Sequence, residues 1–242
     1  MSEKNPPGFP LQDYYSRIFA RYDLVNRLFT FGLDKRWRLQ TVRECLKGNP
    51  QRILDLCCGT GDLALEIART GDRQIKITGY DLNTQMLEVA RKKAFRFQHP
   101  SLEFLQGDAG SMPFAGEEFD RITIGFGFRN LTWENPERER YLAEISRVLK
   151  PGALLLILES AVPGNPVIRL IYRFYLRQVL VPLGGLLSGD WNAYRYLAGS
   201  SSGFHDFNTL KAMLQQFGLD LEPARKFLFG SVNLLIAKKK GT

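Results

Sequence analysis

Histidine is nearly absent: the 242-residue chain holds two, His99 and His205, together with three cysteines. Chemistry built on a histidine base therefore has little material. His99 stands beside Pro100 in a loop and His205 just before a helix start, positions that suit surface and cap-region roles at least as well as proton transfer. Cys57 and Cys58 are adjacent and Cys45 stands apart, so neither a disulfide framework nor a zinc site of recognisable spacing can form. Small apolar packing in a reducing compartment is the expectation for all three. No apolar run approaches membrane-spanning length, and Met-Ser-Glu-Lys-Asn-Pro-Pro-Gly at the start lacks the apolar core of a secretory signal, so a cytoplasmic location is expected. No glycine loop ends in Gly-Lys-Ser/Thr, which argues against a magnesium-bound triphosphate.

Apolar residues and positive charge are not scarce, at 44% and a formal +8. The first is ample for a core, and the second raises nucleic acid and anionic membrane as partners without choosing between them. Helix and strand signals alternate from residue 52 to 160 with no linker or repeat. A single α/β domain over residues 1–242 is the simplest reading, with N-terminal helices over 11–46 and an inserted substrate region over 163–206.

The informative stretch is Arg52-Ile-Leu-Asp-Leu-Cys-Cys-Gly-Thr-Gly-Asp62, followed by Leu63-Ala-Leu-Glu-Ile-Ala-Arg69. It reads as strand, tight turn and helix, with Gly59 and Gly61 clearing the backbone for a ligand and Asp62 available as a cap. Asp81 closes the next strand twenty residues after Gly61, where a carboxylate accepts hydrogen bonds from a ribose. Gly59-Thr-Gly61-Asp-Leu-Ala64 satisfies the dinucleotide spacing. Asp55 and Asp62, however, would repel a pyrophosphate and welcome an ammonium or sulfonium group. The pattern Asp-x-x-x-Gly-x-Gly-Asp with Asp81 behind it resembles the S-adenosylmethionine-dependent methyltransferases.

Further strands are expected at Leu102–Gln106, Arg121–Ile124 and Ala153–Leu158, and two more around 219–238. Asn83 is expected to cap one helix and Asn135-Pro136 to begin another. Gly107-Asp108-Ala109 and Gly125-Phe-Gly-Phe-Arg-Asn130 then fall on the carboxyl edge of the sheet beside the glycine loop, where ligands bind in open α/β folds. Arg91, Lys92, Lys93 and Arg96 read as a solvated helix end.

Four blocks in order carry a closer resemblance: Tyr22-Asp-Leu-Val-Asn26 with Phe31-Gly-Leu-Asp-Lys-Arg-Trp37; Gly125–Asn130; Arg147-Val-Leu-Lys-Pro-Gly152 through Glu159-Ser160; and Tyr194-Arg-Tyr-Leu-Ala198. The chain resembles the UbiE/COQ5/MenG family of quinone-biosynthesis C-methyltransferases. Asp34 stands where that family usually has histidine, and Ala153 where it usually has glycine. The resemblance implies a Rossmann-like class I methyltransferase with a seven-stranded, mostly parallel sheet. It also implies S-adenosylmethionine as cofactor and C-methylation of a prenylated quinol, most readily demethylmenaquinol. Thr60, Asp81, Asp108 and Ala109 are the cofactor contacts it implies, with Asp55, Gly59, Gly61 and Gly125 beside them. Arg129 at the catalytic block is expected to stabilise a developing phenolate and orient a water, because its guanidinium is a poor direct base. Asn130, Tyr22 and Tyr196 are further acceptor-side candidates.

No metal site is expected, since the end of the fourth strand supplies no clustered oxygen ligands. Nucleic-acid methylation is disfavoured by the lack of an Asn/Asp-Pro-Pro-aromatic block and of a Pro-Cys nucleophile. Another aromatic acceptor, RNA, and a non-catalytic cofactor-binding subunit stay as alternatives, and a homo-oligomer is compatible with the sequence. Arg169, Arg173 and Arg177 recur every fourth residue in an otherwise apolar segment. As a helix that segment either rests on an anionic membrane or covers the active site.

Overall fold

The computed structural model describes residues 27, 29–97 and 99–241. The first expected helix and Tyr22 lie outside them. Helix α1 (Leu33–Cys45) leads into β1 (Arg52–Leu56), α2 (Asp62–Thr70), β2 (Lys76–Asp81), α3 (Thr84–Phe95) and β3 (Leu102–Gln106). Strand β4 (Phe119–Gly125), the short α4 (Phe128–Thr132), α5 (Arg138–Val148) and β5 (Leu149–Ser160) complete the parallel half.

The strand order is β3-β2-β1-β4-β5, then β8 (Val232–Lys239) and β6 (Leu219–Leu221), with β7 (Arg225–Phe227) also paired to β8. The first five are mutually parallel. Strand β8 runs antiparallel to β5, β6 and β7. Because β1 lies between β2 and β4, the winding reverses there, and a crevice opens at the carboxyl ends of β1 and β4.

Alternation along each buried strand divides the core into two layers. Ile53 and Leu156 pack with α1, α2 and α3 through Val42, Ile67 and Leu87. Leu54, Leu56, Leu155 and Ile157 pack on the other face with Leu142 and Ile145 of α5 and Leu214 of α9 (Phe207–Gln215). Burial on both faces explains the uninterrupted apolarity of β5.

Residues 163–206 hold α6 (Pro166–Tyr175), a π-helical turn (Leu176–Leu180), α7 (Val181–Ser188) and α8 (Trp191–Gly203). They have an apolar cluster of their own, formed by Leu176, Leu180, Ala193, Tyr194 and Ala198. Helices α7 and α8 meet through glycine: a Cβ on Gly184 would stand 2.3 Å from the Tyr194 ring. Asn165 caps α6 by accepting from the Val167 and Ile168 N–H groups.

Several local expectations are corrected. Gly61, with φ 79°, is the N-cap of α2, and Asp62 makes no cap bond; it pairs instead with Lys93 at 2.6 Å and Arg38 at 3.4 Å. Asn135 accepts from the Glu137 N–H in a turn that precedes α5, so Pro136 lies before the helix rather than within its first turn. Three strands, not two, close the C-terminal end. The basic end of α3 is only partly solvated, because Arg91 donates to the Phe104 carbonyl and Lys93 holds Asp62. Asn83 does cap α3, accepting from the Met86 N–H at 3.0 Å.

Candidate active site

The glycine loop is braced from below. Asp55 is buried and turned inward, accepting from the Ala64 N–H at 3.0 Å and the Thr123 hydroxyl at 2.9 Å. The carboxylate expected to greet a cation therefore ties the loop and α2 to β4. Burial raises it from 3.8 to about 7, against the opposing pull of Thr123 and the Ala64 N–H. A folded-state value above the unfolded one means that the neutral acid favours folding, so this stability is present at acid pH and is lost as pH rises through about 7. Asp55→Asn, which mimics the neutral acid, is expected to gain thermal stability over the parent between about pH 5 and about pH 7.5. A melting-temperature difference that stays constant across that range would give Asp55 an ordinary ionisation.

Asp81 lies at the mouth of the crevice, accepting from the Gly59 N–H and the Asn83 N–H, each at 2.8 Å. Burial pushes its carboxyl up, while those amides and that of Leu82 hold it down. No atom outside the immediate chain would lie within 4 Å of a Cβ on Gly59, whereas one on Gly61 would come within 2.9 Å of Ala90 and Phe104. The loop is thus open on its Gly59 side and closed against the core on its Gly61 side. At the end of β3, Asp108 accepts from the Gly110 N–H at 2.9 Å and from Arg140 at 2.8 Å, leaving Ala109 buried beside it. Thr60 is buried in the loop. An open glycine backbone flanked by two acids on successive strand ends fits a nucleoside-bearing cofactor. Burial also pushes the Cys57 and Cys58 thiols up, in keeping with inert packing.

On the other side of the β4 end, a cavity of about 180 Å³ is walled by aromatic rings, among them Trp37, Phe126, Tyr172, Tyr175, Tyr194 and Tyr196. Its polar lining includes Asp34, Arg38, Arg129, Ser160 and Ser201. Arg129 is 2% exposed, and its guanidinium pairs with Glu159 at 2.5 Å. Its Nε donates to Ser200 Oγ and its Nη1 to Ser160 Oγ, both at 3.0 Å. The Arg129 backbone N–H also donates to Glu159, at 3.1 Å. Asn130 Oδ1 accepts from the Tyr196 hydroxyl at 3.4 Å. Arg129, Asn130 and Tyr196 are therefore gathered on one side of the β4 end, while Gly59, Asp81, Asp108 and Ala109 surround the crevice on the other.

The sequence marks Glu159 and Ser160 only as the end of a family block, without a role, and it does not single out Tyr172, Tyr175 or Ser201. Tyr175 donates to the Phe29 carbonyl at 2.7 Å, tying α6 to the segment before α1. Burial pushes the Tyr172 phenol up to about 12, so it stays protonated near neutrality and serves as a donor. Aromatic density in residues 172–196 was the available signal. Asp34 falls in the first turn of α1, accepting from Thr30 at 3.0 Å and from Arg38.

Comparison with known proteins gives a consistent picture. The model of the ubiE/COQ5 methyltransferase family matches residues 3–239. A demethylmenaquinone methyltransferase of Thermus thermophilus is 43% identical over 207 residues, covering 86% of this chain and 91% of the relative. A ubiquinone/menaquinone biosynthesis C-methyltransferase, UbiE, of Syntrophotalea carbinolica is 41% identical over 234 residues, 97% of this chain and 96% of its own. An S-adenosylmethionine-dependent methyltransferase of Thermotoga maritima shares the fold with a TM-score of 0.63 at 19% identity, over 95% of this chain and 99% of that one.

Proposed function

Since the chain belongs to the ubiE/COQ5 methyltransferase family and is an S-adenosylmethionine-dependent methyltransferase, we propose that it methylates a ring carbon of a prenylated quinol, with demethylmenaquinol as the preferred acceptor. The observation that carries this reading is the aromatic-walled cavity at the β4 end, with buried Arg129 and Ser160 in its lining. Aromatic walls stack on a flat ring, and the polar groups meet its oxygens.

Asp81 binds the ribose, and Asp108 with the Ala109 N–H meets the adenine. Gly59, Thr60, Gly61 and Gly125 form the backbone surface against which the cofactor lies, and Asp55 holds that surface in place. Bound there, S-adenosylmethionine would supply an electrophilic methyl group for the ring carbon. The protein's part is alignment and charge. Arg129 offers its guanidinium to the acceptor oxygen, which makes the adjacent ring carbon electron-rich. Asn130 and Tyr196 hold the same oxygen or a water. Incubating the purified protein with radiolabelled cofactor and a reduced demethyl quinone tests the assignment. A quinone heavier by one methyl supports it; label transferred to RNA instead would sink it.

The lipid character of such an acceptor calls for a membrane contact. No helix among the described residues is long and apolar enough to cross a membrane. Helix α6 has no buried residue, and its Val167, Leu170, Ile171 and Phe174, at spacings of three and four, are 61–71% exposed. Arg173 and Arg177 are exposed as well. Arg169 instead donates to the Pro163 and Gly164 carbonyls at the helix start, so among the described residues the stripe offers two free-standing cations rather than three. We expect salt-sensitive sedimentation with anionic liposomes, with each arginine contributing about 1 kcal/mol. Arg173→Gln with Arg177→Gln should release the protein while cofactor binding persists. Binding indifferent to that pair would leave α6 as a cover over the cavity only.

A further inference from the structure

The acceptor's phenolic proton needs somewhere to go, and the cavity lining contains no histidine. Tyr172 is already protonated near neutrality, and Arg129 cannot accept. One carboxylate reaches the cavity through a hydroxyl. Glu159 is 1% exposed and stands behind Ser160, whose Oγ donates to Glu159 Oε1 at 3.0 Å. Ser160 Oγ also lies 3.4 Å from Ser201 Oγ, and Ser160 and Ser201 both line the cavity.

Resting on the proposed quinol methylation, we propose that Ser160 and Glu159 are the proton relay of this site, and that Arg129 exchanges its ion-pair partner from Glu159 to the quinolate as the proton moves. The O–H bond of the quinol breaks and its proton joins Ser160 Oγ while the serine's own proton passes to Glu159 Oε1. Glu159 becomes neutral and the quinol oxygen takes up the negative charge. This first transfer leaves the net charge around Arg129 unchanged, so the buried guanidinium keeps an anion until the ring carbon attacks. After the ring carbon has gained its methyl group the oxygen is an uncharged carbonyl, and loss of that carbon's remaining hydrogen to water as a proton returns the negative charge to the oxygen. The proton on Glu159 then returns through Ser160 to the oxygen, restoring the aromatic quinol. One proton is released per turnover.

A second hydroxyl–acid–arginine set also borders the cavity, Thr30–Asp34–Arg38. Arg38, however, lies 3.4 Å from Asp62 at the start of α2. After a proton reached Asp34, Arg38 would still face an acid and would be less available to a quinolate. Thr30, Asp34 and Arg38 line the same cavity, so an Asp34→Asn variant is the control that separates the two sets.

The test is steady-state methylation of a demethyl quinol as a function of pH, beside calorimetric binding of S-adenosylhomocysteine. Ser160→Ala, which leaves the Arg129–Glu159 pair intact, and Glu159→Gln are each expected to lower kcat about 10²-fold near neutrality, the size of effect that a positioned proton acceptor supplies. Cofactor affinity and KM should hardly move. The deficit should shrink as pH rises, because hydroxide then removes the proton, and Ser160→Thr should recover most of the rate. A deficit that does not change with pH would make Ser160 and Glu159 structural and overturn the relay. The relay also fails if Asp34→Asn, and not Glu159→Gln, shows the deficit that pH restores. No turnover by the parent protein with any demethyl quinol would overturn the functional reading and the relay together.

Discussion

Arg129→Lys is expected to slow methyl transfer about 10²–10³-fold at saturating quinol, the range seen when one preorganised donor is taken from a buried anion site. Affinity for S-adenosylhomocysteine should be nearly unchanged. The reason is geometric. Arg129 meets Glu159 and Ser160 through Nη1 and Ser200 through Nε, donors held at fixed positions on one planar group. A lysine ammonium is a point charge on a flexible stem and cannot hold that set while facing the cavity. The substitution keeps the charge, so Glu159 stays paired and the fold should survive, whereas Arg129→Ala would leave a buried carboxylate without its cation. Single-turnover rates separate the outcomes. Equal rates for mutant and parent would reduce Arg129 to a structural counter-ion, and a parallel loss of cofactor affinity would place its effect on the wrong side of β4.

Asp81→Ala should weaken S-adenosylhomocysteine binding by about 1.5–3 kcal/mol, the worth of hydrogen bonds to a charged acceptor. Two effects combine in that loss. The ribose hydroxyls lose their acceptor, and the Gly59 and Asn83 N–H groups lose theirs, which loosens both the glycine loop and the cap of α3. Asp81→Asn separates them, because its one carbonyl oxygen can still accept a hydrogen bond but carries no charge. An affinity for Asp81→Asn close to that of Asp81→Ala assigns the loss to the carboxylate's charge and its ribose contacts. One close to the parent assigns it to loop order, and unchanged affinity in both variants would remove Asp81 from the cofactor site.

The β1–β3 half of the fold was legible because its signals are local. Strand, glycine turn and acid lie within thirty residues, and β3 occurs at the expected Leu102–Gln106. Asn83 capped as expected for the same reason. Misreadings arose where tertiary contacts outbid short-range preference. Asp62 looks like a cap by position, yet Lys93 and Arg38, from two other helices, claim its carboxylate. Asp55 looks like a ligand-facing acid, yet β-strand alternation and the Ala64 N–H turn it inward. The acceptor half was harder to read, since its wall is assembled from segments far apart in the chain. Phe29 meets Tyr175 across 146 positions, and Arg129 meets Ser200 across 71. No spacing rule links such partners. The family blocks marked where to look but not that Glu159 stands behind Ser160.

The roof over the cavity has its own apolar cluster, apart from the two layers that sandwich the sheet. Its helices α7 and α8 are joined to each other by glycine–aromatic contacts, Gly184 against Tyr194 and Gly185 against Trp191. A roof that coheres by itself can be remodelled, lengthened or replaced while the sheet beneath keeps its register. Acceptor range and donor chemistry are then separately inherited traits, and the natural place to re-aim this scaffold at a different ring is residues 163–206, with the glycine loop left untouched.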